Sequence, residues 1–164
     1  MADPVCGRLH DALEAGAGEV GVALERGGTY LAMEGPQFSS RAESELYRTW
    51  GCDVIGMTNM PEAKLAREAE LCYASVAIVT DYDCWHPHED DVAGADTVAG
   101  LQSNADRARA LVAALGRHLR DRPTPCAHGC DRALDAALIT PADARDPEVM
   151  RHLDAVAGRV LGKS

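Results

Sequence analysis

Polar and apolar positions divide the chain into short alternating elements. Asp3-Pro4 opens a predicted helix that runs to about Ala15, with proline in its first turn and Gly16 at its stop. Residues 20–24 and 29–33 read as two strands joined by the turn signal Arg26-Gly27-Gly28, and Glu34-Gly35-Pro36 then breaks the chain into a loop. Ser40 followed three residues later by Glu43 has the form of a capping box, which predicts a helix over 41–48. A short strand is expected at 53–57 and a helix over 61–70, with Leu65 and Ala69 on its inward stripe. Residues 73–79 are apolar almost throughout, as in a strand covered on both faces of a parallel sheet. A long helix is predicted over 96–119. After the loop 123–130, two shorter helices are expected over 131–139 and 147–161.

Strand, helix, strand and long helix make an α/β pattern. In such sheets ligands collect where strands end at their carboxyl edge. Two predicted strands end on polar residues, Met57-Thr58-Asn59 and Thr80-Asp81, so one site served by both is the economical expectation. At 164 residues the chain is long enough for one core and is read as a single domain over 1–164. A formal charge of −10 argues against a nucleic-acid partner, since few cations are available to displace counterions from phosphates. It leaves small anionic substrates open, because local donors bind those. The apolar runs fall short of a membrane span, and no export signal opens the chain, so no membrane partner and a cytoplasmic location are expected. Of the six cysteines, Cys52 and Cys72 read as small buried hydrophobes, and only Cys126 and Cys130 lie close together in sequence.

The apolar run at 73–79 finishes on Thr80-Asp81-Tyr82-Asp83, two carboxyls one residue apart. In an extended segment both face one side, with Tyr82 turned away. Two carboxylates sharing a site cannot both ionise comfortably, so the pair is expected to hold one proton and to offer one donor and one acceptor. That is the complement of the adenine edge formed by N7 and the N6 amine. A proton delivered to N7 would also neutralise a purine leaving its sugar, which is general acid catalysis. The plainer alternative is that Asp81 caps the next segment and Asp83 is a solvated loop residue.

Three separated stretches carry a resemblance. Met33-Glu34-Gly35-Pro36-Gln37-Phe38-Ser39-Ser40-Arg41-Ala42-Glu43-Ser44, Asp53-Val54-Ile55-Gly56-Met57-Thr58 and Thr80-Asp81-Tyr82-Asp83-Cys84-Trp85 resemble the motifs of 5′-methylthioadenosine phosphorylases, within the trimeric purine nucleoside phosphorylase family. The similarity is dense from Met1 to about Val92 and looser beyond. The resemblance implies part of a mixed central sheet flanked by helices. It implies phosphorolysis of a nucleoside to adenine and a ribose 1-phosphate derivative, with inorganic phosphate as co-substrate and no organic cofactor. It implies a homotrimer if the chain is complete. By matching motifs, Asp81, Asp83 and Thr80 take the adenine edge, with Asp83 the acid at N7. Met57 lies against the ribose, Thr58 contacts phosphate, and Phe38 and Ser39 line the wall. Core packing for Met57 and Phe38 and capping for Ser39 are the plainer alternatives.

Two departures qualify the resemblance. Family members carry a first half, with a glycine-rich phosphate loop, that has no counterpart here, so this sequence is expected to be the carboxyl-terminal portion, with a non-catalytic half that only binds adenine nucleosides as the alternative. Gly94 falls where the family places a side chain lining the 5′ pocket, which leaves the 5′ preference open and admits general purine nucleosides as the alternative substrate. The residues Cys84, His86 and His88, with Cys126-Ala127-His128-Gly129-Cys130, invite a metal reading, but Pro87 and the wide cysteine spacing argue for no metal. The tail cysteines resemble a pair that can bridge in microbial family members, and here free thiols are expected.

Overall fold

Five helices and two short strands make up the regular structure among the described residues: α1 (Gly7–Val20), β1 (Tyr30–Ala32), α2 (Arg41–Thr49), β2 (Val54–Gly56), α3 (Asn59–Glu68), α4 (Gly94–His118) and α5 (Pro147–Leu161). The computed structural model describes residues 1–86, 94–121 and 125–162, with the backbone alone over 94–103. The chain divides into two units, one formed by His10–Met60 and Ser75–Arg122, the other by Met1–Leu9, Pro61–Ala74 and Pro123–Ser164.

In the first unit the strands are parallel, with Tyr30 opposite Val54, Leu31 opposite Ile55 and Ala32 opposite Gly56. The Asp53 carboxylate anchors the entry to β1 by accepting from Thr29 N–H at 2.6 Å, and Met33 N–H donates to Gly56 O at 2.9 Å at the far end. Helix α2 is the crossover that a parallel pair requires. Its start is the predicted reciprocal cap: Ser40 Oγ accepts from Glu43 N–H, and Glu43 Oε2 accepts from Ser40 N–H at 2.7 Å. Helix α1 buries Leu13 and Ala17, and α4 buries Leu111 and Ala114. Gly16 brings the two helices close: a Cβ there would already touch Ala114 Cβ at 3.4 Å and Leu111 Cδ1 at 3.5 Å. Arg117 of α4 reaches Glu19 of α1 at 2.5 Å.

In the second unit Glu70 is the organising side chain. Its carboxylate takes the fork of Arg159, Nε at 2.6 Å and Nη2 at 2.5 Å, together with Leu134 N–H at 3.0 Å. Arg159 Nη2 also meets Asp135 Oδ1 at 2.5 Å. Asp146 caps α5 by accepting from Glu148 N–H at 2.7 Å, with Pro147 in the first turn. The core of this unit is built on Cys6, Cys126 and Cys130, with Leu9 and Cys72 packed against them.

Several expectations are corrected. Residues 20–24 form no strand: α1 runs to Val20, Gly21 turns at φ 68°, and Val22 N–H closes on Ala17 O at 3.0 Å. Residues 73–79 are not in a strand either. A strand exists only with a ladder partner, and none is present for this run among the described residues, where Val76, Ile78 and Val79 are exposed. The helix expected over 131–139 is a 3-10 turn at Cys130–Arg132 followed by further turns, because Leu134 N–H is diverted to Glu70. On α3 the inward position belongs to Ala63, fully buried, and Leu65 is 63% exposed. Cys52 and Cys72 are half-buried. No described helix is long and apolar enough to cross a membrane.

Candidate functional site

The segment that follows the apolar run folds back on the start of α2. Asp83 has φ 61°, so the stretch is not extended as expected. Asp81 Oδ1 accepts from Asp83 N–H at 2.9 Å, an Asx turn in which the first aspartate fixes the backbone of the second. Thr80 Oγ1 donates to Asp81 Oδ2 at 2.7 Å. The two carboxyls are therefore linked through a backbone amide.

Asp83 is held as a carboxylate. Ser44 Oγ donates to its Oδ2 at 2.6 Å, Ser39 Oγ at 3.2 Å, and Cys84 N–H to its Oδ1 at 2.8 Å. Partial burial would raise its pKa, but the donors from Ser44, Cys84 and Ser39 outweigh burial and leave it below the usual aspartate value. The negative charge is felt next door, where burial first and then Asp83 push the Cys84 thiol up. Cys84 Sγ lies 3.6 Å from Ser39 O, which closes the ring between the loop and α2. Beyond it, the Arg48 guanidinium of α2 stands 3.7 Å over the Trp85 ring, while Tyr82 and His86 stack at 5.0 Å.

Ser39 and both aspartates are thus brought into one constellation, and Thr80 joins it through Asp81. Met57, at the carboxyl end of β2, lies against Gly35. That glycine has φ 72°, and a Cβ on it would sit 2.8 Å from Met57 Sδ, so the residue is needed both for its backbone and for its missing side chain. Thr58, at the entry to α3, is exposed, and Phe38 is 83% exposed. Gly94 is the first residue of α4, but its surroundings, like His88 and the acidic run 89–91, lie outside the described residues. Sequence reasoning gave no role to Ser44. Among the described residues it is the buried polar one, at 3% exposure, and its only signal is that a small hydroxyl follows the capping glutamate. Among the described residues, Cys126 and Cys130 group with Cys6 and Cys72, while His88 of the metal reading weighed from the sequence lies outside them.

Residues 1–117 match the family model of the phosphorylase superfamily. The chain belongs to the phosphorylase superfamily. Within it, the chain is 62% identical over 161 residues to the S-methyl-5'-thioadenosine phosphorylase of Cereibacter sphaeroides, which takes in 98% of this chain and 56% of that protein. Among solved structures it is similar to a methylthioadenosine phosphorylase from an antarctic soil metagenomic library, with TM-score 0.85 and 42% identity over 95% of this chain and 55% of the other. The Schistosoma mansoni methylthioadenosine phosphorylase in complex with adenine superposes with TM-score 0.71 at 27% identity, covering 82% of this chain and 52% of that one. The chain spans about half the length of the curated relatives it matches. The nucleoside phosphorylase fold expected from the motifs is the fold of these neighbours.

Proposed function

We propose that this phosphorylase-superfamily chain forms the adenine side of a site for phosphorolysis of 5′-methylthioadenosine, releasing adenine and 5-methylthioribose 1-phosphate. The observation that carries the reading is the Asp83 carboxylate, fixed by Ser39, Ser44 and Cys84 N–H immediately beside Asp81. An ionised carboxylate is an acceptor, and it suits the N6 amine of adenine and repels the O6 of a 6-oxopurine. The proton for N7 then has to sit on the other carboxyl. Asp81 is suited to it, because the Thr80 hydroxyl at its Oδ2 can rotate from donor to acceptor when that oxygen is protonated. We therefore assign the acid role to Asp81 and amine recognition to Asp83, reversing the roles expected from the motif alone.

Met57 would lie under the ribose, with Gly35 fixing its position. Phe38 and Ser39 would line the base and sugar wall. Thr58 stands where the first turn of α3 begins, and a helix N-terminus favours an incoming phosphate. Inorganic phosphate is the nucleophile and no organic cofactor takes part. A homotrimer, as the motif resemblance implies, and the cytoplasmic location expected from the sequence complete the proposal.

The test is release of free adenine from methylthioadenosine. Release that requires inorganic phosphate, together with no reaction of the 7-deaza analogue, is the expected result. Phosphate-independent release, or equal turnover of the analogue, contradicts the reading. Turnover that appears only when the chain is supplied with the rest of a phosphorylase would assign this region the base-binding half.

A further inference from the structure

The second unit contains a group of side chains that phosphorolysis does not use. The sulfurs of Cys6, Cys72, Cys126 and Cys130 all lie within 4.8 Å of one another, and Cys6 Sγ stands 3.6 Å from Cys126 Sγ. Cys6, Cys126 and Cys130 are buried and Cys72 is half-buried. We propose that these four cysteines form a structural zinc site.

The spacing supports coordination over bridging. Zinc–sulfur bonds of about 2.3 Å in a tetrahedron place the sulfurs about 3.8 Å apart, close to the Cys6–Cys126 separation. A disulfide needs about 2.05 Å, well inside it. The separation Cys126-x3-Cys130, which as a sequence spacing argues against a tight zinc knuckle, still falls within the range of zinc-binding cysteine pairs once Cys6 and Cys72 complete the set, and four thiolates are one of the sets that hold zinc in closed structural sites. The surroundings are arranged as an outer shell. Arg8 Nη2 donates to Cys72 Sγ at 3.0 Å, placing a fixed cation beside a centre whose four thiolates and one divalent ion leave two net negative charges. Asp131 clamps the loop by accepting from Cys126 N–H, both oxygens at 3.2 Å, and Gly129 turns the chain at φ 66° between the two cysteines. Gly7 lets that loop lie on the Cys6 segment, since a Cβ on Gly7 would stand 2.6 Å from the His128 ring.

Each of the three chain segments of this unit contributes a ligand: Cys6 from the first, Cys72 from the second, Cys126 and Cys130 from the third. Among the described residues, the buried core here is the cysteine cluster with the small side chains of Ala63 and Ala157, and small units of that kind are stabilised by metals or cross-links. Coordination requires thiolates, so the metal competes with protons and occupancy falls in acid. The inference is independent of the phosphorolysis reading and is tested without it.

Metal analysis of the whole protein, purified from zinc-supplemented cells without chelator, should return one zinc per chain. Cys52→Ser and Cys84→Ser should keep it, and the double variant Cys126→Ser/Cys130→Ser should lose it. Cobalt(II) exchanged into the unaltered protein should show thiolate charge-transfer absorption with tetrahedral ligand-field bands, a reading that does not depend on any variant folding. Sub-stoichiometric zinc in the unaltered protein overturns the proposal, whether alkylation then finds four free thiols or mass spectrometry finds disulfides.

Discussion

At the scale of single residues, the difference between reading the motif and seeing it lies in Ser44. The sequence makes the two aspartates visible as a pair, and their spacing predicts a shared proton. What decides their protonation is a set of hydroxyl and amide donors that come from α2 and from the residue following the pair, and side-chain hydroxyls leave no periodic trace in a sequence. Ser44→Ala removes the shortest of these donors, at 2.6 Å. The Asp83 pKa should then move up toward the ordinary aspartate value, as read by carboxyl NMR titration. The sign for stability follows from linkage. A carboxylate depressed in the folded state contributes stability above its unfolded pKa, and that contribution fades as pH falls through the lower folded value. In Ser44→Ala the contribution should shrink at neutral pH and be absent in strong acid, so denaturation curves of the two proteins should converge as the pH is lowered. Equal separation at every pH would mean that Ser44 acts through packing alone.

At the scale of elements, local signals were legible and long-range ones were not. The capping box at Ser40 and Glu43 and the proline start of α5 each depend on neighbours in sequence, and each is formed. Strands are different, because their ladder partner lies elsewhere. Residues 73–79 have the composition of a covered strand, yet hydrophobicity alone does not create the neighbour, and Val76, Ile78 and Val79 stand open. The helix expected over 131–139 does not form for a related reason: the Leu134 amide, which would close its first turn, goes to a glutamate some sixty residues upstream in the chain, with no local warning. One element-scale prediction concerns the turn before α2. Gly35→Ala should destabilise the protein by about 1–2 kcal/mol from the left-handed backbone alone, and by more from the contact with Met57 Sδ. Thermal melts of this variant against Gly18→Ala, where a Cβ meets nothing within 4 Å, should show the larger loss at position 35. Equal melting temperatures would contradict the role given to that glycine.

At the scale of the molecule, two consequences follow from how the segments are held. In the unit formed by the two ends of the chain, Arg159 holds Glu70 below its usual carboxylate range, with burial opposing and Leu134 N–H assisting. Stability from Glu70 is present above its unfolded pKa and lost as pH falls through the folded value, so Arg159→Leu should begin acid unfolding at a higher pH than the parent. A coincident acid midpoint would show that the pair is incidental. The exposed run at Val76, Ile78 and Val79 is the other consequence. Contiguous open apolar surface favours association, and Val79→Lys should reduce dye binding and concentration-dependent aggregation of this chain. Unchanged aggregation would place the sticky surface elsewhere. The central claim, that Asp83 accepts from the adenine amine while Asp81 carries the proton facing N7, is tested most directly by following both carboxyl carbons by NMR as adenine is added across the acid range. The account predicts that Asp81 takes up a proton on binding while Asp83 stays ionised. Protonation of Asp83, or no change at either carboxyl with adenine in excess, would contradict it.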